Sequence, residues 1–314
     1  MPVRNQVKPD TILKTFWKNN QRFADLFNTV LFEGTSVLKP NDLQEVDTDV
    51  SSIIKFNGHV ETVQRILDVV RKTAYGIDFI IWGLENQEKI HYAMPLRHMI
   101  GDSLIYLKEY NEIAAKNRKE KDYNTPDEFL SALKKDDRLH PVISLCIYYG
   151  EKEWDGPSNL LDMLMIPEYL KPLVADYKLN LIQIRESENF CFQNQDINIV
   201  FDMIRSIYNK DYETFFKMYK DKTMSTELGL TVGSVVNSQA IISEVMKMEE
   251  KRGEVNMCDA LQRWFDEAVQ KGKIEGAIST CKKFHISKEE TKTNLVEEFS
   301  LSKNKAEEYI EMYW

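Results

Sequence analysis

From Phe79 to Glu85 the chain reads FIIWGLE, an almost unbroken apolar run that ends on the polar triplet Glu85-Asn86-Gln87. A short apolar run of this kind is a strand buried on both faces, and a strand so buried commits the chain to layers that cover it from either side. The segment before it, Gln64 to Thr73, is rich in aliphatic and β-branched residues and reads as a second strand, with Gly76 as the turn signal between them. The sequence therefore predicts a hairpin with one fully buried arm.

Alternation along the second arm puts Glu85 and Gln87 on one face and Asn86 on the other. A turn about Gly76 and Ile77 sets Asp68 directly across from Glu85, with Cβ atoms roughly 4.5–5.5 Å apart. Two carboxylates in one small volume repel unless a proton or cation neutralises them, and oxygen ligands at that separation suit Mg²⁺. The alternative is a strand end polarised in water, with Asp68 facing solvent. Asp78 is a competing acid, but seven positions before Glu85 it lies roughly 23 Å away along one strand and on the opposite face.

Three stretches, QRILDVVRKT, WGLENQEKIHYAMPLRHMIGDSLIYL and HPVISLCIYYGEKEWDGPSNLLDML, resemble the Rpn-type recombination-promoting nuclease and putative transposase family of the PD-(D/E)XK nuclease superfamily. The resemblance covers most of residues 20–170. It implies a restriction-endonuclease-like core in which Asp68 and Glu85 are metal ligands and Gln87 takes the position of the superfamily's lysine. It also makes Asp47, in an EVDT text, a secondary candidate. Asp25, an acid on the first helix, and Arg97, at a basic position of the family that could grip a phosphate, are two more.

The 314 residues suit one large or two modest domains, and a composition 43% hydrophobic and 29% charged supplies a core. No apolar run is long enough to span a membrane and the first residues carry no signal-peptide centre, so the expected location is the cytoplasm. Cys146, Cys191, Cys258 and Cys281 have no CxxC pairing or zinc spacing, which argues against a disulfide framework or zinc site. A net charge of −9 argues against coating nucleic acid by bulk charge. Local basic stretches, Lys8 to Arg22 and Lys116 to Lys121, could still meet phosphates, or simply be solvated.

Residues 12–33 carry a helical apolar stripe, and 37–56 read as a turn followed by a strand on which Glu45, Asp47 and Asp49 share one face. After Gln87, Pro95 and an apolar face predict a helix, with Arg97 in its early turns and His91 and His98 as either general bases or structural histidines. Strands are expected at Pro141 to Tyr149 and Lys178 to Ile184, and helices from about residue 195 onward. The expected fold is α/β: a restriction-endonuclease-like mixed sheet flanked by helices, as a nuclease-like domain over 1–224. A helical region over 225–314 follows, suited to partner binding or homo-oligomer formation.

The expected activity is hydrolysis of DNA phosphodiester bonds by Mg²⁺ (or Mn²⁺) held by Asp68, Glu85 and the backbone carbonyl of Asn86, with Gln87 orienting the attacking water. An amide is no general base, so the proton must leave by another route. Alternatives are an RNase of the same chemistry, and a nuclease fold kept only for DNA binding or assembly.

Overall fold

A computed structural model describes residues 9–45, 49–56, 59–66, 69–73, 77–82, 90–121 and 123–314. The stripe over 12–33 is divided between two helices, α1 (Pro9–Trp17) and α2 (Asn20–Leu31). The break has a local cause: the side chain of Asn19 accepts the N–H groups of Gln21 and Arg22 at 2.9 and 3.3 Å, an N-cap that starts a new helix inside an otherwise continuous apolar pattern. Both helices bury the stripe as expected, with Phe16, Trp17, Phe23, Leu26 and Phe27 inaccessible to solvent.

Among the described residues seven strands follow: β1 (Leu43–Glu45), β2 (Asp49–Phe56), β3 (His59–Ile66), β4 (Val69–Thr73), β5 (Asp78–Trp82), β6 (Val142–Tyr148) and β7 (Leu181–Gln183). Strands β2 and β3 pair antiparallel as a ribbon of their own, and the other five form one sheet in the order β1-β4-β5-β6-β7. The run expected as a single strand over 64–73 thus belongs to two sheets. Within the larger sheet β1, β4 and β5 are antiparallel neighbours, whereas β5, β6 and β7 run parallel.

The parallel step from β5 to β6 is made through α3 (Met94–Glu120), which opens with Pro95 in its first turn. Antiparallel strands can be joined by a tight turn, but a parallel pair needs a long crossover. Along the return, α3 presents polar side chains to successive points of the chain. Asn117 donates to the carbonyl of Ala132 (3.1 Å) and to Asp137 (2.7 Å), Tyr110 to the carbonyl of Ser131 (3.0 Å), and Tyr106 accepts the N–H of Val142 (3.0 Å). Glu109 meets His140, and Asp102 meets Ser144. Under this ladder Val70, Met94, Leu104, Ile105, Cys146 and Leu179 form an apolar cluster, so Cys146 is a core residue as its position in an apolar strand suggests.

The short helix α4 (Pro126–Ser131) lies within the α3–β6 connection. Beyond β7 the chain is helical: α5 (Gln195–Tyr208), α6 (Tyr212–Tyr219), α7 (Thr226–Val235), α8 (Gln239–Arg252), α9 (Met257–Lys283), α10 (Lys288–Phe299) and α11 (Lys303–Tyr313). The result is a mixed α/β fold, mostly helical, with a small sheet. Ser287 caps α10 by accepting from Glu290, as its capping-box sequence predicts.

The chain divides into two compact units, one of residues 1–214 and 227–238, the other of 215–226 and 239–314. The division interleaves around the boundary expected at 224/225. In the first unit Arg22 is buried between Asp196 and Glu227, with N···O distances of 2.7–2.9 Å. In the second, Met224 and Val255 exchange backbone hydrogen bonds, and Ile274, Ile278, Leu295, Ala306 and Ile310 form the core of α9, α10 and α11.

Candidate active site

The hairpin that organises the sequence is present as β4 and β5, but its register differs from the expected one. Val69 faces Ile81, Val70 faces Ile80, Arg71 faces Phe79 and Lys72 faces Asp78. Thr73 and Ile77 close the turn, the N–H of Thr73 donating to the Ile77 carbonyl at 3.0 Å and that of Ile77 to the Thr73 hydroxyl at 3.1 Å. Ile77 is therefore a paired residue rather than part of the turn, and the register is three residues away from one that sets position 68 against position 85. Asp47, Asp68, Glu85, Asn86 and Gln87 lie outside the described residues. Asp78 opens β5, four strand steps or ~13 Å from Trp82.

At one end of the sheet β4 begins and the three parallel strands β5, β6 and β7 finish, since Val69 faces Ile81, Trp82 faces Cys146 and Tyr148 faces Gln183. The carboxyl ends of parallel strands are where open α/β sheets place ligands, because the connections there are free to vary while the strands hold them rigidly. Three features of the described residues gather at this end.

The first is a pair of buried aromatic donors. Tyr148 closes β6 with its ring fully buried, and Trp154 packs edge-on against it with centroids 5.1 Å apart. The Tyr148 hydroxyl and the Trp154 indole N–H are both shielded from solvent and meet no hydrogen-bond partner among the described residues. Burial, followed by the charge of Asp155, raises the Tyr148 pKa, so the phenol keeps its proton. Two glycines make room for the rings: a Cβ on Gly150 would stand 2.2 Å from the Tyr148 hydroxyl, and one on Gly156 would stand 2.9 Å from the Trp154 ring. The Tyr-Tyr-Gly and Trp-Asp-Gly texts carried this signal in the sequence, as polar-tipped aromatics beside a residue with no side chain.

The second is the chain around these rings. The N–H of Trp154 donates to the side chain of Gln183 at 2.7 Å, Arg185 to the Glu151 carbonyl at 2.7 Å, and Tyr92 to Asp155 at 3.1 Å. The last contact ties the entry to α3 to the loop after β6.

The third is the start of α3 itself, where Arg97 is partly exposed in the early turns. His98, beside it, is 1% exposed; burial and then the charge of Arg97 push its pKa down to about 3. A neutral, enclosed imidazole of that kind is a structural histidine. His91 is exposed, and its Nδ1 accepts the N–H of Ala93 at 3.2 Å just ahead of the helix.

Asp25 is engaged elsewhere. Its carboxylate accepts the N–H groups of Gln193 and Asn194, at 3.1 and 2.9 Å, where the chain enters α5. Helix α3 carries a further buried acid, Asp102, which receives the hydroxyls of Ser144 and Tyr177 and which no local pattern in the sequence marks out. Burial and this hydrogen bond raise the Tyr177 pKa, so that phenol too remains protonated. No group of three or more His, Cys, Asp or Glu side chains among the described residues could hold a metal ion.

Residues 122–228 match the family described as "putative transposase, YhgA-like". The YhgA-like stretch spans about a third of the chain and carries α4, β6, β7, α5 and α6, with Tyr148, Trp154, Asp155, Gln183 and Arg185 at the sheet end. It overlaps the later part of the segment whose text resembles the transposase-like family, and it follows Asp68 and Glu85 to Gln87 in the chain. No curated protein and no solved structure matches the chain. Among the described residues no helix is long and apolar enough to cross a membrane.

Proposed function

We propose that the chain is a metal-dependent endonuclease that hydrolyses phosphodiester bonds in DNA on behalf of a mobile element, on a restriction-endonuclease-like core. One observation carries the reading: β4 begins and β5 ends at the same end of the sheet, Val69 following Asp68 directly and Trp82 preceding Glu85 by three residues. The YhgA-like match supports the link to mobile DNA.

Asp68, Glu85 and the Asn86 carbonyl make an all-oxygen donor set, which is what Mg²⁺ or Mn²⁺ takes. When bound, the ion supplies positive charge opposite the scissile phosphate and acidity to a water. In this reading Asp68 and Glu85 would hold the ion, whose charge offsets the repulsion of two carboxylates brought to one site. Gln87 would orient the water through its amide, which takes no proton; the proton passes to the phosphate or to solvent. Arg97 is the side chain assigned to the non-bridging phosphate oxygens.

Supercoiled plasmid incubated with the purified chain tests this directly. Nicking or cutting is expected with Mg²⁺ and none with EDTA, and Asp68→Ala or Glu85→Ala should each abolish it while leaving the circular dichroism spectrum unchanged. Cleavage by the Glu85→Ala protein equal to that of the parent would overturn the assignment.

A further inference from the structure

Helix α3 has 27 residues and so runs ~40 Å, whereas β6, on which it packs, has seven residues and spans ~23 Å. The last turns of α3 therefore project past the sheet, at the end away from the strand termini of the candidate active site. The chain folds back on them through α4, and the two together enclose an open groove of about 570 Å³, lined by Arg118, Lys121, Tyr123, Asn124, Thr125 and Phe129. That is the size of a small-molecule or single-nucleotide site.

The groove is held in shape from behind. Asn117 fixes the Ala132 carbonyl and Asp137, the Glu128 carboxylate accepts the N–H groups of Asn124 and Lys135 at 2.6 and 2.9 Å, and Thr125 caps α4. Those backbone hydrogen bonds, that of Lys135 first, lower the Glu128 pKa, so its charge is spent inward on the loop rather than presented to a ligand.

The lining has two kinds of group. Arg118 in the last turn of α3 and Lys121, its left-handed C-cap, both line the groove and are exposed, and neither forms an ion pair among the described residues. Phe129 is 72% exposed, held by a single edge contact to Tyr123 at 5.6 Å. A phenyl ring left in water forgoes ~1.5–3 kcal/mol of burial, so its fixed position beside two cations is informative. The Tyr123 hydroxyl is buried without a hydrogen-bond partner among the described residues. Two exposed cations next to an exposed flat ring form the elementary unit of single-strand recognition, in which the backbone is neutralised and an unstacked base lies on the aromatic face. A duplex offers the phosphates but keeps its base faces stacked, and an acidic peptide offers charge without a planar partner for Phe129.

We propose that this groove binds single-stranded nucleic acid, with a phosphate between Arg118 and Lys121 and the adjoining base against Phe129. The site is separate from the proposed cleavage centre, by ~36 Å of helix between Met94 and Arg118.

The test is fluorescence anisotropy of a labelled oligothymidylate with the full chain in EDTA, so that the result does not depend on whether the protein cuts. Saturable binding that weakens with salt is expected. Arg118→Glu with Lys121→Glu should weaken it at least tenfold and lower the slope of log affinity against log salt by ~1.4. Phe129→Ala should weaken it by about five- to a hundred-fold, with the loss restored by Phe129→Trp. All three positions are at the surface, and unchanged melting temperatures would separate loss of binding from loss of fold. Binding unchanged in the double-charge or Phe129→Ala protein overturns the proposal, as does equal affinity for the matching duplex or for polyglutamate.

Discussion

His98 shows how burial sets what a residue can do. On the surface an imidazole titrates near pH 6.5, but inside α3 it is held neutral down to about 3, by burial first and the Arg97 charge second. Between those two values the unfolded chain binds a proton that the folded chain refuses, so stability is fully present above ~6.5 and falls as the pH drops, by up to ~1.4 kcal/mol per unit. Urea unfolding of the parent and His98→Gln proteins between pH 7 and pH 4 checks this. The substituted protein should lose stability less steeply on acidification, and parallel pH profiles would refute the account. The sequence showed His98 near the start of a helix but not its enclosure. Asp25 was illegible for a related reason: the amides it receives, of Gln193 and Asn194, are far away in sequence, and an acid beside an apolar stripe looks the same whether it meets an ion, water or a distant loop. Glu85 to Gln87 stand out by a wholly local signal, a polar triplet after an apolar run, and lie outside the described residues.

At the scale of elements, α3 is a template on which the return to β6 is laid, point by point, from Asn117 to Asp102. Asn117 is the outermost of these contacts and is itself buried. Asn117→Ala removes two hydrogen bonds and leaves the Ala132 carbonyl without a donor, which should cost ~1–3 kcal/mol locally. The connection around Phe129 and Leu130 should then be cut several-fold faster by chymotrypsin while β6 stays intact, a difference limited proteolysis followed by mass spectrometry would reveal. Equal cutting rates would mean that α4 is fixed by other contacts. Elements with strong periodicity or local caps could be read from sequence, among them β6, α10 and the helical run after 195. Those whose limits depend on partners could not. The cap at Asn19 split one stripe into two helices, and the continuous apolar text before Thr73 hid a change from one sheet to another.

For the whole molecule, the interleaved units decide where the chain can be shortened. Ending it at 224 removes Glu227 and leaves the buried Arg22 with Asp196 as its one remaining carboxylate, whereas ending it at 238 retains the pair. Stripping a partner from a buried charge costs ~3–5 kcal/mol, so the 1–238 protein should unfold at a clearly higher urea concentration than the 1–224 protein. Identical midpoints would show that α7 adds nothing to the first unit.

The same interleaving bears on inheritance. A chain whose units were strung end to end could exchange its last helices with a relative at one junction. Here the strand of sequence passes from the first unit to the second, back for residues 227–238, and out again. A single crossover within 215–238 would therefore assemble at least one of the units from two parents. The helical second unit and the α/β first unit are expected to evolve as a matched pair, with residues 227–238 varying in step with Arg22 and Asp196 rather than with the helices on either side of them in the sequence.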